Sequence, residues 1–354
     1  MKNSIVYLVA IVLFVFPTIS YSQVSSTLRY FGYWDHALSN PYPADQIYLE
    51  QGPYTNATMR TIQYRVDSQG YWNTTGDYFV DHQDALRKAK HAGLKVIIAW
   101  PFWFINGNEI DRGVDTVKPE VFNRWVSMIT PHLDNIIAIS ITDEPDCNYN
   151  GATFGGANGG WSKENCDAMR MKLEAHIAKM KSAFPNMPAW VNYTSAFING
   201  LNRPDLGYSI PSNADWLSFD CYTSWNNCFS NLSVSDVLAR LESRLTTNQR
   251  VVMIPRAFTG DFGGYRPSES QIVSDANLYF DLAKSRPKVL GIFPFIWWDL
   301  TNDGWVGASK LPLVRNAYAQ IGSQIVGPKI KKSFSSGDYN GDGKTDIATW
   351  RPSD

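Results

Sequence analysis

The chain alternates short, nearly continuous apolar runs with stretches whose apolar residues recur at helical spacing, and few architectures accept that alternation along one chain. The apolar runs fall at Leu28–Trp34, Thr58–Tyr64, Leu94–Trp100, Ile136–Thr142, Ala189–Tyr193, Trp216–Cys221, Val251–Pro255 and Val289–Trp297. A strand apolar on both faces is covered on both faces, which is the condition of a parallel sheet wrapped by helices. The intervening segments carry helix signals of their own. Asp81 precedes a run with Ala85, Leu86 and Ala89 on one side, and Gly93 closes it. Ser233 precedes Val234, Val237, Leu238, Leu241 and Leu245. Ser268 with Gln271 makes a capping box ahead of Ile272, Val273, Ala276 and Phe280. Two connections, Leu38–Ala57 and Ala196–Asn213, lack helical patterning and read as long loops. The alternation predicts an α/β fold, a single (β/α)8 TIM barrel over residues 23–326, in preference to a doubly wound sheet. A chain of 354 residues, 44 % hydrophobic, is long enough to bury such a core.

Glu144 is the most informative single residue. The apolar run Ala138 to Ile141 leads into Asp143 and Glu144, and Pro145 then stops the ladder because proline has no N–H to give. Two carboxyl groups at the end of an apolar strand cost free energy unless something there uses them. The C-terminal strand ends of a barrel of this kind are where catalytic side chains sit, and partial desolvation there raises a carboxyl pKa toward that of a usable proton donor. The plainer reading makes Asp143 and Glu144 a helix cap and a structural ion pair.

Aromatic content is the outlier of the composition, with 13 Trp and 18 Tyr. Trp34, Trp100, Trp297 and Trp298 fall beside strand ends, where flat apolar faces suit sugar rings. A formal net charge of −1 argues against nucleic acid or an anionic membrane surface as partner. A monomer is expected. Metal-protease, phosphate-loop and serine-elbow motifs are absent from the sequence, so no cofactor is expected for catalysis.

The two ends read differently from the middle. Lys2, the apolar run Ile5 to Ile19, and Ser20 and Ser22 before Gln23 have the form of a signal peptide over residues 1–22. The run is short for a membrane span, so a secreted protein, periplasmic or extracellular, is the expectation. Export makes the 4 Cys candidates for disulfides. Cys147 with Cys166 would close the glycine-rich excursion after Glu144, and Cys221 with Cys228 would staple the next strand end; other pairings are open. Residues 327–337 read as a linker rich in Lys, Ser and Gly. Beyond it, Asp338, Asn340, Asp342 and Asp346 space oxygen donors around Gly343 in the manner of a loop for Ca2+. The segment 338–354 resembles the start of an FG-GAP/VCBS-type repeat. One partial blade cannot bury its own face, so strong metal binding is not expected of it.

Three strand ends together resemble the (β/α)8-barrel glycoside hydrolases of clan A. Asp143–Pro145 resembles that clan's Asn-Glu-Pro at the end of strand four, DWLSFDCY (Asp215 to Tyr222) a segment ending in an active-site Tyr, and IWWD (Ile296 to Asp299) the strand that places a Trp under the reactive sugar. The resemblance implies a polysaccharide or oligosaccharide substrate, with Glu144 as general acid/base, Tyr222 as a hydrogen-bonding residue and Trp297 or Trp298 as the platform. Strand seven departs from the pattern. Where the clan has its nucleophilic Glu, VVMIPRAF (Val251 to Phe258) offers Arg256. Glycoside hydrolysis needs two carboxyl groups, so the second must come from another strand end. Asp220 is favoured because it shares a strand face with Tyr222; Asp143, Asp261, Asp299 and Asp35 follow. Asp143 looks awkward beside Glu144, since neighbours on a strand point to opposite faces. Arg256 is read in two ways: as a cationic fork for an acidic substrate, together with Arg65, or as a counter-ion that keeps Asp220 ionised. The missing carboxylate also leaves room for a non-catalytic carbohydrate-binding or cell-surface module, and the fold alone permits a lyase or transferase.

Overall fold

The computed structural model describes residues 27–35, 50–60, 78–100, 119–145, 147, 162–300 and 303–327. Each expected apolar run carries a strand. The strands are β1 in two pieces (Tyr30–Phe31 and Trp34–Asp35), β2 (Ala57–Arg60), β3 (Lys95–Ala99), β4 (Ile136–Asp143), β5 (Ala189–Thr194), β6 (Trp216–Cys221), β7 (Arg250–Pro255) and β8 (Val289–Ile292). Neighbours pair in parallel and in chain order. β1 pairs with both ends of the row, Tyr30 with Gly291 on β8 and Trp34 with Met59 on β2, which brings the eight strands into a near-closed barrel. All six residues of β6 are buried, as a strand walled by helices on one side and barrel core on the other requires.

The described helices are α1 (Tyr78–His91), α2 (Pro119–Ile129), α3 (Lys163–Ala183), α4 (Ser195–Gly200), α5 (Val234–Glu242), α6 (Glu269–Ser285) and α7 (Pro312–Val326). The box at Ser268 forms as the sequence predicts, and a second forms at Ser233 with Asp236, each serine accepting from the N–H three residues on while that residue's side chain reaches back. Gly93 takes a left-handed φ of 69° after α1. Two details differ from expectation. Helix α1 is already helical at Tyr78, so Asp81 lies inside it and is not its cap. The connection Ala196–Asn213, read as a loop, contains α4, capped by Thr194 through the Phe197 N–H at 3.1 Å; six residues are too few to show a helical period.

The segment after β8 stays in the wall without counting as strand. Phe293 and Phe295 donate to Met253 and Pro255 of β7, and Pro294 accepts from Trp34 but has no N–H of its own to extend the ladder. Both expected disulfides are formed, Cys147–Cys166 and Cys221–Cys228. Among the described residues no helix is long and apolar enough to cross a membrane. Residues 1–22, Arg65, residues 328–337 of the linker and the calcium-loop residues Asp338, Asn340, Asp342 and Asp346 lie outside the described residues.

Candidate active site

The site begins with an irregularity in β4. Ser140 pairs with Trp190 and Thr142 with Val191, so Ile141 is one residue more than β5 has to match. An extra residue reverses the alternation beyond it, and Asp143 therefore pairs with Asn192 on the inward face. The next residue, Glu144, has φ 49°, the left-handed region that a side chain with a Cβ enters at a cost of about 1–3 kcal/mol. Its N–H is held by the Asn192 carbonyl at 2.9 Å. The turn ends the strand's alternation, so the charges of Asp143 and Glu144 bear on one another and on Asp220. The expectation that Asp143 and Glu144 face apart is thereby corrected, through a bulge and a left-handed turn.

Asp220, the fifth residue of β6, enters the same space from the side. Asn192 Nδ2 donates to Asp143 Oδ1 at 2.7 Å and to Asp220 Oδ2 at 2.8 Å. Asp220 is 9 % exposed, and the Glu144 carboxyl comes within hydrogen-bonding influence of it. Tyr222, two residues on, bears on Asp220 in the same way. Asp220 Oδ1 is buried with no hydrogen-bond partner among the described residues.

Three carboxyl groups so close, Asp220 buried and Asp143 and Glu144 partly so, cannot all ionise together at ordinary pH. Burial and the neighbouring Glu144 push Asp143 up to about 8, while the Asn192 hydrogen bond pulls the other way. Burial, Glu144 and Asp143 hold Asp220 well above the usual carboxylate range, again against Asn192. Burial raises the Tyr222 phenol, helped by Asp220, Asp143 and Glu144, so it stays a donor. Among the described residues no three or more His, Cys, Asp or Glu converge as metal ligands.

The other expected residues separate. Arg256 is 6 % exposed and gives its guanidinium to backbone carbonyls, Phe258 at 2.8 Å, Tyr222 at 2.6 Å and Gly260, while lying over the Phe258 ring. It knits the loops after β6 and β7 together through backbone carbonyls and is not among the groups acting on Asp220, which corrects the expectation of a counter-ion there. Burial lowers its pKa to about 10, leaving it charged. Asp261 pairs with Arg266 at 2.9 Å, and Asp299 accepts from the Gly307 N–H at 3.0 Å and pairs with Lys310. Asp261 and Asp299, two of the four alternatives for the second carboxylate, are therefore engaged in loop structure. Trp34 is buried edge-on to Trp190 at 5.7 Å and Phe295 at 5.5 Å. Trp100 faces the helix layer, 5.0 Å from Trp125 of α2 and 3.4 Å from His176 of α3, so it is wall and not platform. Trp297 is fully buried on Tyr33 at 4.7 Å; Trp298, partly exposed, is left as the candidate platform of that pair. Tyr222 stacks on Phe295 at 5.2 Å.

Sequence reasoning passed over Asn192 and Ser218. Their signal was present: a polar residue in the middle of each of two otherwise apolar strands, AWVNYT and WLSFDC, directly paired in register.

No protein-family model matches the sequence, and no curated protein sequence does. Solved structures match in fold. A glycoside hydrolase family 5 enzyme from Prevotella bryantii B14 superposes with a TM-score of 0.55 at 14 % identity, over 84 % of this chain and 96 % of that one. ZgEngAGH5_4 gives 0.52 at 13 % identity, over 83 % and 96 %. A β-glucuronidase from Ruminococcus gnavus gives 0.50 at 13 % identity, over 82 % of this chain and 50 % of that one. At such identities the likeness is one of fold, a (β/α)8-like barrel of the type these hydrolases have.

Proposed function

We propose that the chain is a glycoside hydrolase acting on a polysaccharide, with Glu144 as general acid/base and Asp220 as the second carboxyl group. The observation that carries this is the gathering of carboxyls at the strand-end mouth of the barrel, Asp143 of β4 and Asp220 of β6 held 2.7 and 2.8 Å from Asn192 Nδ2, with Glu144 after β4 acting on the ionisation of both. The fold shared with family 5 hydrolases supports it. A buried pair of this kind titrates as a unit and keeps one proton over a wide pH range. In the proposed reaction Glu144 gives its proton to the glycosidic oxygen as the bond to the sugar breaks. Asp220, ionised, with Asn192 and Tyr222 beside it, takes the sugar carbon. Water deprotonated by Glu144 then releases the sugar and restores both groups.

The separation of the two carboxyls decides the stereochemistry. Inverting enzymes hold their carboxyls about 6.5–9.5 Å apart to admit a water, and retaining ones about 5–5.5 Å. The influence of the Glu144 carboxyl on Asp220 favours the nearer arrangement, so retention is the expectation. Reducing-end release from a panel of plant, algal and microbial glycans tests the activity, xyloglucan among them because a related fold has been seen with a xyloglucan oligosaccharide bound. NMR of the first-formed anomer tests the stereochemistry. Release of reducing ends with the original anomer is expected.

A second reading, a non-catalytic carbohydrate-binding module, is favoured by Arg256 standing where a strand-seven carboxylate is absent. Glycan binding without release of reducing ends would select it. The proposal includes export, with cleavage before Gln23, and a weak Ca2+ loop at Asp338, Asn340, Asp342 and Asp346. The mass of the secreted protein checks the first, and calorimetric titration with Ca2+ the second.

A further inference from the structure

We propose that Asn192 is the positioning residue of the carboxyl cluster, locked by a one-way hydrogen-bond chain from Trp190 through Ser218 so that both its N–H groups face Asp143 and Asp220. The inference rests on the hydrolase reading for its consequence in catalysis, and on the unliganded protein alone for its test.

The direction of the chain is forced by donor chemistry. The Trp190 indole is only a donor, and its Nε1 lies 2.7 Å from Ser218 Oγ, so that oxygen must accept. The Ser218 hydroxyl hydrogen is then free to go to Asn192 Oδ1, 2.6 Å away. An amide oxygen committed on that side leaves the NH2 on the other, where its two hydrogens meet Asp143 Oδ1 at 2.7 Å and Asp220 Oδ2 at 2.8 Å. Flipping the amide would set its oxygen against two carboxyls and its NH2 against a hydroxyl that already accepts from Trp190, leaving the hydroxyl hydrogen without Asn192 Oδ1 to go to. Trp190, Asn192 and Ser218 are each 0 % exposed, so water offers no substitute.

The arrangement stabilises negative charge on the two aspartates and offers no comparable help to an added proton there. Glu144, Tyr222 at the end of β6 and Tyr279 of α6 are the other ionisable groups acting on these carboxyls. With one proton to place between Asp220 and Glu144, the chain steers it to Glu144. That is the division of labour the proposed reaction needs, Asp220 ionised and Glu144 protonated.

The test is the titration of the aspartate side-chain carbons by 13C NMR in substrate-free protein, with Asp143→Asn and Asp220→Asn assigning the signals. Asn192→Leu removes both donors and is expected to raise both midpoints by about one to two pH units. Ser218→Ala, which leaves Asn192 in place but unlocked, is expected to raise them in the same direction by less, and Ser218→Thr to restore wild-type midpoints. If Asn192→Leu does not fold, Ser218→Ala decides alone. Midpoints in the folded variants within about 0.3 units of wild type, well under the shift a charged hydrogen bond carries, would overturn the proposal. Because no substrate is present, shifted midpoints in a protein that cleaves no glycan would reject the hydrolase reading and leave the positioning role standing.

Discussion

A carboxyl group at a barrel mouth gains its chemistry from what it is denied, and Asp143 shows this most directly. Its folded pKa, about 8, lies above the value of about 3.9 that it has in an unfolded chain. Between those limits the folded protein holds a proton that the unfolded chain has released. The stability linked to that proton is fully present below about pH 4 and is lost as pH rises through about 8. Asp143→Asn keeps an oxygen for Asn192 but cannot ionise. It should therefore raise the thermal midpoint at pH 8, by about 2–4 °C for each kcal/mol gained, and change it little at pH 4. Thermal melts of both proteins at the two pH values check this; equal gains at both would contradict the assignment. Position, more than residue type, was what the sequence could show here. Glu144 and Asp220 stood out as carboxyls ending apolar runs. The proximity of Asp143 depended on a bulge at Ile141 and a left-handed φ at Glu144, and neither leaves a mark in residue order.

Among the elements, β1 carries the closure and is the most exacting. Gly32 sits between its two pieces, where pairing passes from β8 to β2, and a Cβ there would lie 1.9 Å from the Ala57 carbonyl oxygen. Backbone of β2 cannot yield that distance without opening the seam. Gly32→Ala is expected to cost about 3 kcal/mol, the upper part of the range for overpacking, read as a lower denaturant midpoint. An unchanged midpoint would mean that the seam is not tight. The disulfides have a different office. Cys221 follows Asp220 directly, and Cys147 comes three residues after Glu144, so each bond ties down a loop beside a candidate carboxyl. Their sequence separations, 7 and 19, close short loops, each worth about 3 kcal/mol or less on the chain-entropy account. Cys221→Ser with Cys228→Ser should reduce turnover more than stability, as measured by kcat beside a denaturant melt; a collapse of the fold with full activity per folded molecule would reverse that view. Strands were legible because parallel strands buried on both faces are apolar throughout, α5 because Val234, Val237, Leu238 and Leu241 follow Ser233 at helical spacing, and α6 because its capping box is written in Ser268 and Gln271. Helix α4 was not, since six residues complete too few turns to show a period.

The whole molecule is a barrel whose strand ends bring together residues distant in the chain, and its proposed activity depends on two of them, Glu144 and Asp220. Arg256, at the end of β7, is taken up in holding the rim, and the proposed second carboxyl is drawn from β6 instead. From sequence the arginine read as a charge available to substrate or to Asp220. Its actual partners are backbone carbonyls of Tyr222, Phe258 and Gly260, which no side-chain pattern could announce. The measurement that bears most directly on the account is turnover of Glu144→Gln on a glycan that the wild-type protein cleaves, with a thermal melt alongside. The account predicts an intact fold and a fall in kcat of about 10²–10⁴, the range of lost acid–base catalysis. A folded Glu144→Gln protein with wild-type turnover would contradict it.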